Sequence, residues 1–483
     1  MFWEEFMNAT DKIIYNNKFK TIDLKEKGYV IIDPESHIWL KTSETGKDIL
    51  ERLKVECTYQ ELLEYIKEIY EVNGKEIEEI LDATICDFYE YGVVAVNGEI
   101  RNKVASYYRN EDSNLQQVWL NITNRCNLRC PQCFAETRNK KHNELSYGYI
   151  QKFFEETKEL ELHEIIISGG EPCLHSEFLR ILQLIKSKGI RIKILTNGSI
   201  SDMDSEKVDV IFKLVDNIQV SLDGVTETTH DKFRGQGSFS KVLKCLEKLK
   251  GFKGNKGIAY TPLPENICEI ESLYDFALAY ELDYIHLNRP SRPSQSDIYS
   301  DSEYFLSEVF FEDILQQVNL LRRKEAQKRD TYRSMQVKLP TINATFIPYN
   351  NLIDNVKKVR CAAGITTISI MEDGSVYPCV SLSTNRKRDF LCGNIKEQNS
   401  LEIIKSTRNK MLEMFHVERN KKCKKCSYKY FCGGGCRAEV DLVGCDRMCN
   451  IFKERYKEFF EHLSLSKVRA LYSYRKEKIE SDT

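Results

Sequence analysis

Cysteine placement constrains this chain more than any other feature of its sequence. Of 17 cysteines in 483 residues, Cys57, Cys86, Cys173, Cys245 and Cys268 are scattered, three fall in Cys126–Cys133 and nine in Cys361–Cys449. The opening, MFWEEFMNATDK, is acidic and has no signal-peptide apolar block, so the chain is expected in the cytoplasm, where disulfides are disfavoured. Scattered cysteines read as small buried hydrophobes, whereas clustered ones point to metal ligation. No apolar run of about 18 residues occurs, so no membrane span is expected. Lys+Arg 71 against Asp+Glu 73 leaves a net charge of −2 and no global bias toward nucleic acid. With 41% hydrophobic residues the chain can bury packed cores, and its length suggests about three domains.

The first part (1–110) reads as a small α/β module. GYVIID (28–33) and HIWLKT (37–42) form a hairpin around a Pro-Glu-Ser turn. Helical stretches follow near 44–54, 59–71 and 75–91, the second opened by a Thr58–Glu61 capping box, and YGVVAV (91–96) closes the unit as a strand. This order is winged-helix-like. Ten acids against four bases in 51–82 make DNA binding by the module unlikely on charge and fit a solvated helix face.

From 111 to 300 strands and helices alternate. Apolar runs at 117–123, 164–170, 190–198, 217–224, 257–262 and 284–290 are separated by amphipathic segments, as in parallel strands buried on both faces. The expected fold class is α/β: a partial (β/α)6 TIM-like barrel with its chemistry at the strand C-termini. A charged bridge (301–345) leads to a cysteine-rich segment (346–483) with a basic helical tail.

Directly after the first barrel strand come Cys126, Cys130 and Cys133, spaced C-x3-C-x2-C. Three thiolates on one loop can ligate three irons of a [4Fe–4S] cube and leave the fourth iron open. Structural zinc, which prefers a fourth protein ligand, and free thiols are the alternatives on spacing alone. The following strands end in Ser168-Gly169-Gly170-Glu171-Pro172, Thr196-Asn197-Gly198 and Ser221-Leu222-Asp223-Gly224, the last followed by His230-Asp231-Lys232-Phe233-Arg234-Gly235. Glycines at the second strand end would let backbone amides approach a ligand, and the glutamate offers a carboxylate to an ammonium group.

In this order and placement the motifs resemble the radical S-adenosylmethionine (SAM) superfamily over roughly residues 115–300. The resemblance implies that Cys126, Cys130 and Cys133 hold the cluster and that SAM chelates its open iron. Gly169, Gly170 and Glu171 would contact the methionyl moiety, Glu171 taking the amino group, with Ser221 and Arg234 as further SAM contacts. No catalytic residue is assigned beyond the cluster. The family usually carries an aromatic residue before the third cysteine, near the adenine; this chain has Gln132, with Phe134 after the cysteine.

The later cysteines run C-x12-G-x4-C from Cys361 to Cys379 and C-x2-C-x5-C-x3-C from Cys423 to Cys436, with Cys445 and Cys449 following. Cys423 to Cys436 could be a zinc knuckle, but the full order resembles the SPASM extension of radical SAM enzymes, which holds two auxiliary iron–sulfur clusters. By that pattern Cys361, Cys379 and Cys436 serve the first, and Cys423, Cys426, Cys432 and Cys449 the second. Cys445 competes with Cys449, and the first cluster's fourth ligand is Cys392 or an open site for a substrate thiolate. Nine bases against two acids in 405–429 would offset cluster charge or form a solvated face.

The opening module resembles the recognition element of enzymes that modify ribosomally made peptides, where a leader peptide adds as a strand beside the small sheet. The combination implies a radical SAM/SPASM oxidoreductase-type maturase that forms thioether crosslinks on a ribosomal precursor peptide and draws electrons from a flavodoxin or ferredoxin. A carbon–carbon crosslink, epimerisation or formylglycine-type sulfatase maturation are rival enzyme activities, and a zinc-stabilised binding protein is the non-enzyme alternative.

Overall fold

The computed structural model describes residues 7–24, 28–33, 39–70, 75–101, 115–133, 142–291, 299, 301–332, 338–344, 361–385, 389–439 and 446–462. The Pro-Glu-Ser turn, Phe134 and Cys445 lie outside these residues.

The opening module contains two three-stranded antiparallel sheets. One orders β5 (Cys57–Thr58), β1 (Lys12–Tyr15) and β6 (Val94–Val96); the other orders β2 (Lys20–Asp23), β3 (Tyr29–Ile32) and β4 (Trp39–Thr42). The helices fall where the periodicity predicts, as α1 (Glu44–Arg52), α2 (Tyr59–Ile69) and α3 (Lys75–Glu90). Both halves of the Thr58–Glu61 capping box form at the start of α2. Strands β1, β2 and β5 are additional to the sequence reading. They have four residues or two, with polar positions interspersed, and too little pattern to announce themselves.

The run Val30-Ile31-Ile32 explains how this module joins the rest. Side chains alternate across a strand. Ile31 enters the module's own core with Ile49, Leu62 and Ile85, while Val30 and Ile32 enter the main core shared with the barrel. An unbroken apolar strand is what burial on both faces demands. Beside it, Trp39 of β4 meets Phe431 and Phe460 edge-on, with centroids at 5.7 and 5.6 Å, and Lys41 Nζ donates to the Phe460 carbonyl at 2.8 Å.

The barrel strands are β7 (Leu115–Thr123), β8 (Leu162–Gly169), β9 (Arg191–Thr196), β10 (Asn217–Ser221), β11 (Asn255–Tyr260) and β12 (Tyr284–Leu287), all parallel and adjacent in order. The helices between them are α4 (Tyr147–Glu156), α5 (Phe178–Ser187), α6 (Ser205–Leu214), α7 (Glu227–Arg234), α8 (Ser238–Leu249) and α9 (Leu273–Ala279). The sheet extends further than the sequence suggests. β13 (Thr341–Asn343) adds parallel to β12, and β14 (Thr367–Ile370) of the cysteine-rich segment adds parallel to β7. β15 (Ser375–Tyr377) and β16 (Gly393–Asn394) continue it as an antiparallel meander, giving ten strands. The charged bridge is largely one helix, α10 (Glu308–Tyr332), which buries Phe310, Phe311, Ile314, Leu315, Val318 and Leu321.

Trp39 is the aromatic contact between the opening module and the C-terminal helix Cys449–His462. Trp39→Ala should destabilise the junction by about 2–4 kcal/mol. The expected result is a lower urea midpoint for the first unfolding transition followed by tryptophan and tyrosine fluorescence.

Candidate active site

The three spaced cysteines lie on the loop leaving β7, at the C-terminal mouth of the barrel. Two backbone hydrogen bonds hold this loop against the end of β8: Gly170 N–H donates to the Thr123 carbonyl and Glu171 N–H to the Arg125 carbonyl, each at 2.7 Å. Here glycine is obligatory. A Cβ on Gly169, which has φ +134°, would lie 2.2 Å from the Thr123 oxygen, and one on Gly170 would lie 2.1 Å from the Arg125 oxygen. The sequence reading gave these glycines to close approach of a ligand; in the structure the close approach is to the cysteine loop.

Glu171 is likewise turned toward the chain. It is wholly buried, its carboxylate accepting from the Thr196 hydroxyl at 2.9 Å and from the Asn197 N–H at 2.8 Å. Burial pushes its pKa up, against the pull of its hydrogen bonds. An ammonium group reaching this carboxylate would have to share it with β9. Asn197 extends the tie, donating to Asn127 Oδ1 at 2.9 Å and lying 3.8 Å from Cys126 Sγ, while Asn127 donates to Ser199 Oγ at 2.8 Å. Asn127 carries no motif signal and was not legible in the sequence.

Gln132 has a definite partner. Its Nε2 donates to Asp223 Oδ2 at 2.8 Å, and Arg234 Nε donates to the same oxygen at 2.6 Å. An acceptor-only carboxylate fixes which end of the Gln132 amide faces it. Arg234 and Asp223 are nearly buried, with side chains 16% and 1% exposed. Burial opposes the guanidinium charge, yet Asp223 and the nearby cysteines hold its pKa above the usual value. Burial lifts the Cys130 thiol to about 11, and Arg234 is the leading influence in the other direction. Ser221 ends β10, half-buried. His230 Nδ1 accepts from the Asp223 N–H at 3.3 Å, and burial lowers its pKa to about 4, so it is neutral.

The later cysteines form two groups. Cys361, Cys379 and Cys436 pack together with Ala363, Leu382, Met411 and Phe415. Burial raises both Cys379 and Cys436, the latter to about 11 despite Arg289. Cys423, Cys426, Cys432 and Cys449 line one cavity with Asp446 and Tyr456. Asp446 touches both groups: it lines the cavity of the second, accepts from the Cys436 N–H of the first at 2.6 Å, and accepts from both terminal nitrogens of Arg289, at 2.8 and 2.5 Å. Cys392 packs on the main core instead, its thiol donating to the Phe390 carbonyl at 3.3 Å.

These donor sets fit iron–sulfur clusters. Among the described residues no three His, Cys, Asp or Glu side chains converge to hold a single metal ion. A cube binds each thiolate through a separate iron and asks for no such convergence. Residues 120–277 match the radical SAM superfamily. The barrel is a radical SAM domain. Residues 361–427 match the SPASM iron–sulfur cluster-binding domain. The radical SAM domain binds a [4Fe–4S] cluster and SAM, the SPASM domain binds auxiliary clusters, and the protein is an enzyme.

The chain is 27% identical to an AdoMet-dependent heme synthase of Methanosarcina barkeri, over 66% of this chain and 90% of that protein. It is 23% identical to the mycofactocin maturase MftC of Mycobacterium tuberculosis, over 71% of this chain and 83% of that one. Its fold is similar to that of Streptococcus suis SuiB bound to its precursor peptide SuiA, with a TM-score of 0.53, 15% identity and coverage of 90% and 98%. Among the described residues no helix is long and apolar enough to cross a membrane.

Gly170→Ala tests how the cysteine loop is seated. The added methyl must displace the Arg125 backbone, so anaerobically reconstituted protein should lose about four irons, one cluster's worth. Colorimetric iron and sulfide assays check this.

Proposed function

We propose that this enzyme is a maturase of ribosomally made peptides that joins a cysteine sulfur to carbon in a leader-bearing precursor. Cys126, Cys130 and Cys133 are assigned to the SAM-binding cluster. Cys361, Cys379 and Cys436 are assigned to one auxiliary cluster, and Cys423, Cys426, Cys432 and Cys449 to the other. Bound SAM supplies a 5′-deoxyadenosyl radical for hydrogen abstraction. Gly169, Gly170 and Glu171 flank its methionyl end. Ser221 and Arg234 are assigned as further SAM contacts, the guanidinium being suited to a carboxylate.

One observation carries the peptide reading: the opening module, with its own core, shares a second core with the barrel. Relatives such as the heme synthase align with only 66% of the chain. A porphyrin substrate, which that relative's name suggests, leaves the module without a role. Strand β2 pairs only with β3 among the described strands, and Lys20, Thr21 and Asp23 are exposed. An extended leader can add along such an edge through backbone hydrogen bonds.

Two measurements test this reading. Alanine at Cys126, Cys130 and Cys133 should abolish 5′-deoxyadenosine formation, followed by chromatography; undiminished formation overturns the ligand assignment. Thr21→Pro, which blocks strand addition, should weaken leader-peptide binding about tenfold and leave peptide-independent SAM cleavage unchanged. Mass spectrometry of a coexpressed precursor then identifies the bond, with a loss of about 2 Da per crosslink and none for epimerisation.

A further inference from the structure

The segment Asn420-Lys421-Lys422-Cys423-Lys424-Lys425-Cys426 sorts its side chains by direction. Asn420 Oδ1 accepts from the Lys422 and Cys423 N–H groups, both at 3.0 Å, and a single 3-10 turn spans Cys423–Lys425. This geometry turns Cys423 inward, where it is buried, and leaves Lys421, Lys422, Lys424 and Lys425 exposed. Lys422, Lys429 and Lys453 border the cavity lined by Cys423, Cys426, Cys432 and Cys449. Lys429 is paired with Glu418 at 3.1 Å, but none of the four turn lysines forms an ion pair with a described residue.

Charge compensation of a buried cluster is a poor use for these four. Their ammonium groups stand in water, where screening over about 8 Å weakens their effect on an interior charge. The same exposure suits steering of an incoming anionic surface. A chain with net charge −2 that concentrates at one turn cations with no ion-pair partner among the described residues is addressing an acidic partner locally. Encounters between electron-carrier proteins are small and polar, commonly below about 1,200 Å².

We propose that this lysine turn is the docking surface for a small acidic one-electron carrier protein. The proposal rests on the reading that the adjacent four cysteines hold a cluster. In each encounter the reduced carrier would pass one electron to the cluster that the adjacent four cysteines would hold, so that the carrier is oxidised and that cluster reduced by one electron each; no bond or proton is transferred.

The test uses the full-length reconstituted enzyme and a bacterial flavodoxin in its hydroquinone form. The triple variant Lys421→Glu, Lys424→Glu and Lys425→Glu is compared with the parent by stopped-flow absorbance. Flavodoxin oxidation by the parent should slow as salt rises, and the variant should be slower by about tenfold at low salt. SAM cleavage driven by dithionite, and iron content, should be the same in both. An equally fast flavodoxin reaction in the variant would overturn the proposal, as would a variant that loses leader-peptide affinity instead. Cys423→Ala separates the two layers of the argument. If its iron content equals the parent's, the cluster assignment fails and the proposal with it. If iron falls by about four while the lysine variant reacts normally, the docking surface alone is wrong.

Discussion

The close contact between the end of β8 and the loop after β7 is the constraint on which the rest of the site depends. The carbonyl of Thr123 at the end of β7 and that of Arg125 on the cysteine loop sit where any side chain on Gly169 or Gly170 would have to be. Hydrogen bonds of 2.7 Å close the contact. Strand order then does the remaining work, because parallel strands of similar length end on one side. Glu171 carries the fixation from β8 to β9 through Thr196 and Asn197, and Asp223 carries it from β10 to the loop through Gln132. The cysteine loop is thus tied to three successive strand ends in addition to its own Cys133 N–H to Cys130 carbonyl hydrogen bond.

Electrostatics follow the same geometry. A buried carboxylate with a buried guanidinium is costly unless each is fully engaged. Asp223 meets that requirement on one oxygen only: Oδ2 accepts from two donors while Oδ1 is buried without a hydrogen-bond partner among the described residues, and Arg234 retains a field that acts on Cys130. Farther away Asp446 repeats the device with Arg289 between the two later cysteine groups. In both places an aspartate-held arginine pulls down the pKa of a thiol that burial raises, while the aspartate itself pulls the other way.

Much of the fold was legible because its signals are local. Strand and helix alternation from 115 to 290, the capping box at Thr58 and the three helices of the opening module all derive from patterns within a few residues. Contacts that join distant parts of the chain left no such mark. Helix α10 was hidden by its charge density, although its Phe and Leu positions face one way. The pairing of β14 with β7 joins residues about 250 positions apart, and nothing in either strand names its partner. At the site, cysteine spacing announced the metal chemistry, but the bond from Gln132 to Asp223 could not be read, since it depends on where two loops arrive in space.

The pairing of β14 with β7 also bears on how the molecule is made. Thr367–Ile370 supply the neighbour on the outer side of the first barrel strand, so that edge stays open on the ribosome until more than two hundred further residues have been translated. During that interval the nascent barrel carries an unpaired, apolar strand at its start. Non-local closure of this kind is slow and prone to mispairing. Cells producing the protein therefore gain from low temperature, slow translation or chaperone capacity, and truncations that remove the C-terminal third would be expected to aggregate rather than yield a smaller working barrel.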